Sequence, residues 1–198
     1  EESRRARRAP PALSSASSFA FAVPGVSLTL DTGTGGDVPI GAPVASFTGS
    51  LLKYSGGTLT GTLTGGNDLV TVTQSAVSND DGFVVGLNLN GVVHTFGSLG
   101  AGVKSIVLDG LGGNDSFTFD ELLMIDVSII GGAGVDTLIG PTAGTQWDIT
   151  GADSGQMGGF TTFAGVENLT GRAGLDRFNV RDDGTTQGSL SGLLDGGA

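Results

Sequence analysis

The residues most able to do chemistry in this chain are aspartates that recur behind glycines. Gly131-Gly132-Ala133-Gly134-Val135-Asp136-Thr137-Leu138-Ile139 fits the nonapeptide G-G-x-G-x-D-x-U-x at every fixed position, where U is a large apolar residue. The glycines let the backbone turn tightly and aim its carbonyls inward. Asp136 adds a hard anionic oxygen, and such an oxygen set suits Ca²⁺. Leu138 then starts a strand and points into a core.

Aligning on the aspartate finds partial copies. Gly110-Leu111-Gly112-Gly113-Asn114-Asp115-Ser116-Phe117-Thr118 keeps two glycines, the aspartate and the apolar residue, as does Gly171-Arg172-Ala173-Gly174-Leu175-Asp176-Arg177-Phe178-Asn179. Gly65-Gly66-Asn67-Asp68-Leu69-Val70 is shorter, and Leu194-Asp195-Gly196-Gly197-Ala198 reads as the opening of a further copy. Apolar runs lead into the turns, as at Ser105–Leu108, Val127–Ile130, Val166–Leu169 and Leu190–Leu194, and others follow them. The unit is therefore strand, Gly/Asp turn, strand.

The aspartates at 68, 115, 136 and 176 leave gaps of 47, 21 and 40 residues. These are near one or two multiples of a repeat of roughly 20 residues, which suits a solenoid. Degenerate coils would fill the double gaps, with Gly86–Gly91 and Ile149–Asp153 as candidates. The expected fold is all-β, a parallel β-solenoid or β-helix with Gly/Asp-rich turns. An antiparallel β-sandwich of the adhesin type is the alternative.

Composition narrows the classes. The chain has 198 residues and 37 glycines without a three-residue period, which excludes collagen. An apolar share of 38% argues against plain disorder. The formal charge is −11, and Arg4, Arg5, Arg7 and Arg8 are four of only nine basic residues. No basic face for nucleic acid can be assembled. The chain has no cysteine, so it has neither disulfides nor thiolate metal sites. No apolar run approaches the roughly 18 residues of a membrane span.

Three segments follow from these shifts. Residues 1–23 are basic and then rich in Ala, Ser and Pro, a tail or an export leader. Residues 24–57 read as irregular lead-in strands, including Val26–Leu30, with Asp31–Asp37 as a loop. Residues 58–198 carry the strand-and-turn repeat.

The Gly131–Ile139 segment resembles the repeat of RTX, or haemolysin-type, calcium-binding proteins. The stretch from Gln146-Trp147-Asp148 to Val166-Glu167-Asn168-Leu169-Thr170-Gly171 resembles parts of very large bacterial surface or secreted proteins. The resemblance implies calcium-dependent folding outside the cell. It also implies a ligand set: Asp136 with the carbonyls of Gly131 and Ala133, Asp115 with Gly110 and Gly112, Asp176 with Gly171 and Ala173, and Asp68. Calcium takes about six to eight oxygens, so one turn is not enough and two must stack. Asp115 and Asp136, 21 residues apart, are the expected pair. The alternative is a metal-free corner, because Gly, Asn and Asp suit such turns unaided.

Other chemistry is sparse. His94 is the one histidine, in the alternating strand Val92–Phe96, so a Ser-His-Asp triad or a zinc site is not expected. Asp80-Asp81, Asp120-Glu121 and Asp182-Asp183 are paired carboxylates. Arg172, Arg177 and Arg181 would supply the basic residue of a β-helix polysaccharide lyase, the rival reading. The expected function is a non-catalytic, calcium-stabilised structural module of an extracellular or cell-surface bacterial protein, such as a stalk, adhesin, surface-layer or filament subunit. Its expected partners are further domains of a larger protein, other copies through strand edges, or cell-surface polysaccharide.

Overall fold

The structure is a computed structural model that describes residues 45–47, 50–79, 82–97, 102–121, 123–182 and 184–198. Among the described residues every regular element is a strand. They are β1 (Ala45–Phe47), β2 (Ser50–Ser55), β3 (Thr58–Thr62), β4 (Leu69–Asn79), β5 (Gly82–Leu89), β6 (Val92–Phe96), β7 (Ser105–Asp109) and β8 (Ser116–Phe119). Then come β9 (Asp126–Ile130), β10 (Thr137–Ile139), β11 (Gln146–Gly151), β12 (Ser154–Met157), β13 (Thr161–Ala164), β14 (Asn168–Thr170), β15 (Arg177–Val180) and β16 (Leu194–Asp195). Among the described residues no helix is long and apolar enough to cross a membrane.

Period-two patterning makes these strands. In β7 Ile106 and Leu108 are buried while their neighbours are half-exposed, and β8 buries Phe117 and Phe119 in the same way. The strands form two mixed sheets. The first runs β1-β2-β3-β7-β9-β13-β12-β11-β15, and the second runs β16-β14-β10-β8-β4-β5-β6. From β7 to β10 the chain alternates between them, and each return lands parallel to the strand before it. Parallel neighbours need a crossover, and here a strand of the other sheet supplies it.

The register stacks like on like. Leu59, Ile106 and Val127 align in the first sheet. Val70, Phe117, Leu138 and Leu169 align in the second. Both sheets feed one core cluster, with Trp147, Phe117 and Phe119 its largest fully buried members. Each such side chain contributes about 1.5–3 kcal/mol when it leaves water.

Two hairpins replace the degenerate coils expected in the long gaps. Gly86–Gly91 is not a coil corner: it belongs to β5 and to the tight turn into β6, which extend the second sheet antiparallel beyond β4. Asn90 (φ 52°) and Gly91 (φ 86°) both take left-handed backbone there, as a two-residue hairpin turn requires. Ile149–Asp153 is likewise the end of β11 and its turn into β12, with Asp153 at φ 48°. Strands β11, β12 and β13 form an antiparallel meander inside the first sheet.

The apolar runs expected to lead into the Gly/Asp turns correspond to β7, β9, β14 and β16, although β14 and β16 are shorter than their runs. Within residues 24–57, β1 and β2 pair antiparallel, and β2 pairs with β3. The tail or leader at 1–23, the Val26–Leu30 strand and the Asp31–Asp37 loop lie outside the described residues.

Candidate functional site

The register makes residues 68, 115, 136 and 167 equivalent, because Leu69 pairs with Ser116, Ser116 with Thr137, and Thr137 with Asn168. Asp68, Asp115, Asp136 and Glu167 therefore form one row along the corners that lead from the first sheet to the second. The expected pair, Asp115 and Asp136, does meet.

What joins the row is a chain of backbone-to-carboxylate bonds. The Asp68 amide donates to Asp115 Oδ1 (2.8 Å), the Asp115 amide to Asp136 Oδ1 (2.7 Å), and the Asp136 amide to Glu167 Oε2 (2.7 Å). Corner amides have no ladder partner of their own, and a buried N–H must find one. The carboxylates supply it one corner at a time. A second row runs beside the first in the opposite sense. The Asn114 amide donates to Asn67 Oδ1 (2.8 Å), and the Val135 amide to Asn114 Oδ1 (3.0 Å). The Asn-Asp dipeptides at 67–68 and 114–115 thus knit their corners in both directions.

The aspartates are enclosed: Asp68, Asp115 and Asp136 are 2%, 1% and 0% exposed. Asp68 is fully engaged, accepting from the Thr64 amide and hydroxyl (2.8 and 2.7 Å) and from Asn90 Nδ2 (2.6 Å). Asp115 Oδ2 and Asp136 Oδ2 have no partner. Burial pushes the Asp115 carboxyl up to about 6; the Asp68 amide bond opposes this, and the charges of Asp136 and Asp68 add to it. Asp136 is raised for the same first reason, against the Asp115 amide bond and with the charge of Glu167 adding.

The first glycine of the motif is explained by this carboxylate. A Cβ on Gly110 would sit 2.4 Å from Asp115 Oδ2, and one on Gly131 would sit 2.6 Å from Asp136 Oδ2. Gly131 also abuts the Gly165 carbonyl so closely that a Cβ would lie 1.8 Å from its oxygen. The constraint at these two glycines is space for the oxygen and for the next corner.

Asp176 lies elsewhere, at a corner that returns from the second sheet to the first. Gln146 pairs with Arg177, so Asp176 stacks on Thr145 and not on Asp136. Its Oδ1 accepts from the Thr145 amide and from Trp147 Nε1 (both 3.0 Å), and its Oδ2 from the Arg172 amide (3.1 Å). Gly171 and Ala173 belong to that return corner. The same Gly/Asp signature serves two non-equivalent edges of the molecule, because both must turn a strand sharply. At Leu194–Asp195 the chain pairs with Leu169–Thr170, and a Cβ on Gly171 would be 2.7 Å from the Gly196 oxygen. That last copy therefore also belongs to the return edge.

Glu167 is the row member that motif matching misses, because Gly165-Val166-Glu167 is shorter than the nonapeptide. Its signal is a carboxylate two residues before a buried apolar residue, Leu169, as Asp136 precedes Leu138.

Part of the donor set that the resemblance implies is already engaged in hydrogen bonds. Each Oδ1 is held by an amide, the Gly110 carbonyl accepts from the Gly112 amide (2.8 Å), and the Ala133 carbonyl accepts from the Gly113 amide (2.9 Å). Calcium takes about six to eight oxygens, and Asp115 Oδ2 and Asp136 Oδ2 are the carboxylate oxygens of the row left without a hydrogen bond. Among the described residues, no group of three or more His, Cys, Asp or Glu could hold a metal ion.

The other candidates are engaged singly. Arg172 pairs with Asp120 (3.1 Å), Arg181 pairs with Asp148 on the first sheet, and Glu121 accepts the Gln74 amide (2.8 Å). His94 is half-buried on β6, and burial lowers its pKa. Asp182 caps the Gly184 amide (2.8 Å), while Asp80, Asp81 and Asp183 lie outside the described residues. No family model, no curated protein and no solved structure matches this chain.

Proposed function

We propose that the chain is a non-catalytic structural module, a parallel β-solenoid that serves as a stalk or repeat segment of an extracellular or cell-surface protein of bacterial type. The observation that carries this reading is the row Asp68–Asp115–Asp136–Glu167, in which Asp115, Asp136 and Glu167 each tie their corner to the one before. Such a row uses its carboxylates to hold one corner on the next. The parallel ladders β3-β7-β9-β13 and β4-β8-β10-β14-β16 favour a solenoid over an antiparallel sandwich. Protease shaving of intact source cells tests the placement. Peptides from residues 58–198 should be released; recovery only after lysis overturns it.

Calcium stabilisation is the second reading, and one observation favours it: Asp115 Oδ2 and Asp136 Oδ2 are buried without a partner. A cation or a proton would each relieve that. Thermal unfolding in millimolar calcium and in EDTA separates them. A melting temperature that rises with calcium supports the ion, and an unchanged one leaves the proton.

A further inference from the structure

We propose that the outer face of the first sheet carries a binding site for a neutral saccharide, in the depression beneath the β12–β13 hairpin tip. This goes beyond the structural role and does not depend on it. The depression has a volume of about 230 Å³ and spans β7, β9, β13 and β12. Val107, Ser128, Thr162 and Gln156 form one row across these strands, in register. Ser105 and Asp126 pair in the neighbouring row, where Phe160 projects from the hairpin tip with 47% of its surface exposed.

The tip is a fixed feature. Gly158 (φ 64°) and Gly159 (φ 87°) turn the chain, Gln156 Nε2 donates to the Gly159 carbonyl (2.6 Å), and the Phe160 carbonyl accepts from the Val127 amide (2.9 Å). Phe160 is thereby held over the sheet rather than left on a free loop. Small-molecule sites are mostly apolar concavities with a few convergent polar groups, and an exposed aromatic face supplies such apolar area.

The lining chemistry selects the ligand. Ser128 offers a hydroxyl, and the Ser105 and Thr162 hydroxyls, which bond Thr58 Oγ1 (2.9 Å) and the Val127 carbonyl (3.2 Å), keep acceptor capacity. Gln156 Oε1 offers an acceptor, and Asp126 is exposed without a hydrogen-bond or ion-pair partner among the described residues. Hydroxyls donate and accept, and a carboxylate accepts twice, so vicinal hydroxyls of a sugar match this set. Adjacent strands lie about 4.8 Å apart, so side chains on neighbouring strands can reach two edges of one sugar ring. The C–H face of that ring would rest on Phe160. Among the described residues no Lys or Arg lines the depression, and Asp126 repels anions, which disfavours phosphates and uronates.

A peptide strand finds no place here, because β7, β9, β13 and β12 are each paired on both sides and expose no free edge. The site binds without cleaving: glycoside hydrolysis needs two carboxyls across the bond, and Asp126 is the only carboxylate of the lining among the described residues.

The test is titration of ¹⁵N-labelled full chain with cello-, malto-, laminari- and chito-oligosaccharides, read by amide chemical shifts. At least one sugar should give saturable shifts at Ser105, Asp126, Ser128, Gln156, Phe160 and Thr162, and Phe160→Ala should weaken it by about tenfold or more. Asp126→Ala should weaken the same sugar, while both variants keep the parent melting temperature. No shifts up to about 10 mM of any sugar, or shifts untouched by both substitutions, overturn the proposal.

Discussion

Asp115 and Asp136 show what a single buried oxygen can decide. Each carboxylate accepts one amide through Oδ1 and leaves Oδ2 against a glycine, without a partner. Folded Asp115 holds its proton to about pH 6, against a reference value of 3.8. Between these values the folded state binds more protons than the unfolded one, so stability falls as pH rises through the window. The contribution is full below about pH 4 and lost above about pH 6, on the order of 3 kcal/mol for a shift of this size. Asp136 is shifted in the same direction. Chemical denaturation between pH 4.5 and 7.5 should therefore show rising stability on mild acidification. A row charged against a bound cation has the opposite slope. Asp115→Asn keeps the Oδ1 acceptor and removes the charge; it should flatten the pH dependence and raise stability at pH 7 by about 1–3 kcal/mol. Gly131→Ala should cost about 3 kcal/mol or more, because its Cβ has no room beside the Gly165 carbonyl and Asp136 Oδ2. A melting curve within a degree or so of the parent's would contradict that close approach.

The elements divide by how their signals reach through space. Strands such as β7, β8 and β9 are legible from alternation, since Ile106, Leu108, Phe117, Phe119, Val127 and Ile129 fall on one face each. The β5–β6 hairpin is legible too, but through a different signal. Asn90-Gly91 is strong hairpin-turn chemistry, and reading Leu87-Asn88-Leu89-Asn90-Gly91 as a coil corner overlooks it. The meander β11-β12-β13 is harder to foresee, because it depends on Trp147. This side chain is fully buried, stacks on Phe178 at a centroid distance of 5.3 Å, and donates to Asp176. Gly140 leaves space for it, since a Cβ there would lie 2.6 Å from the indole. Trp147→Leu should lose about 3–5 kcal/mol, because it opens a cavity and strips Asp176 of one donor. Urea denaturation measures it, and a loss under about 1 kcal/mol would mean that the meander does not rest on this residue.

At the scale of the whole molecule, no strand among the described residues pairs beyond the last strand of either sheet. Strand β15 closes one end of the first sheet and β16 one end of the second. Leu175 (81% exposed), Val180 (60%) and Leu193 (61%) lie in or beside them. An apolar edge with free amides and carbonyls invites another strand. We expect the mass measured by sedimentation to rise with concentration, and Val180→Lys with Leu193→Lys to abolish the rise. A monomer at every concentration would set self-association aside. The charge of −11 opposes this pairing at low salt, so the association should strengthen as salt screens it.

Along the chain alone, the strand class, the sharp corners and the importance of Asp115 and Asp136 can be read, because alternation and glycine-aspartate spacing are local properties of backbone and side chain. The identity of the row cannot. Asp176 carries the same signature as Asp136 yet stacks on Thr145, and Glu167 lacks the signature yet completes the row. Membership depends on how many residues each hairpin and meander inserts between corners, and that count becomes a position only when the strands pair. The hydrogen bonding of the carboxylates is decided at the same level. A corner amide seeks the nearest acceptor once water is excluded, and stacking puts the carboxylate of the next corner within 2.8 Å of it.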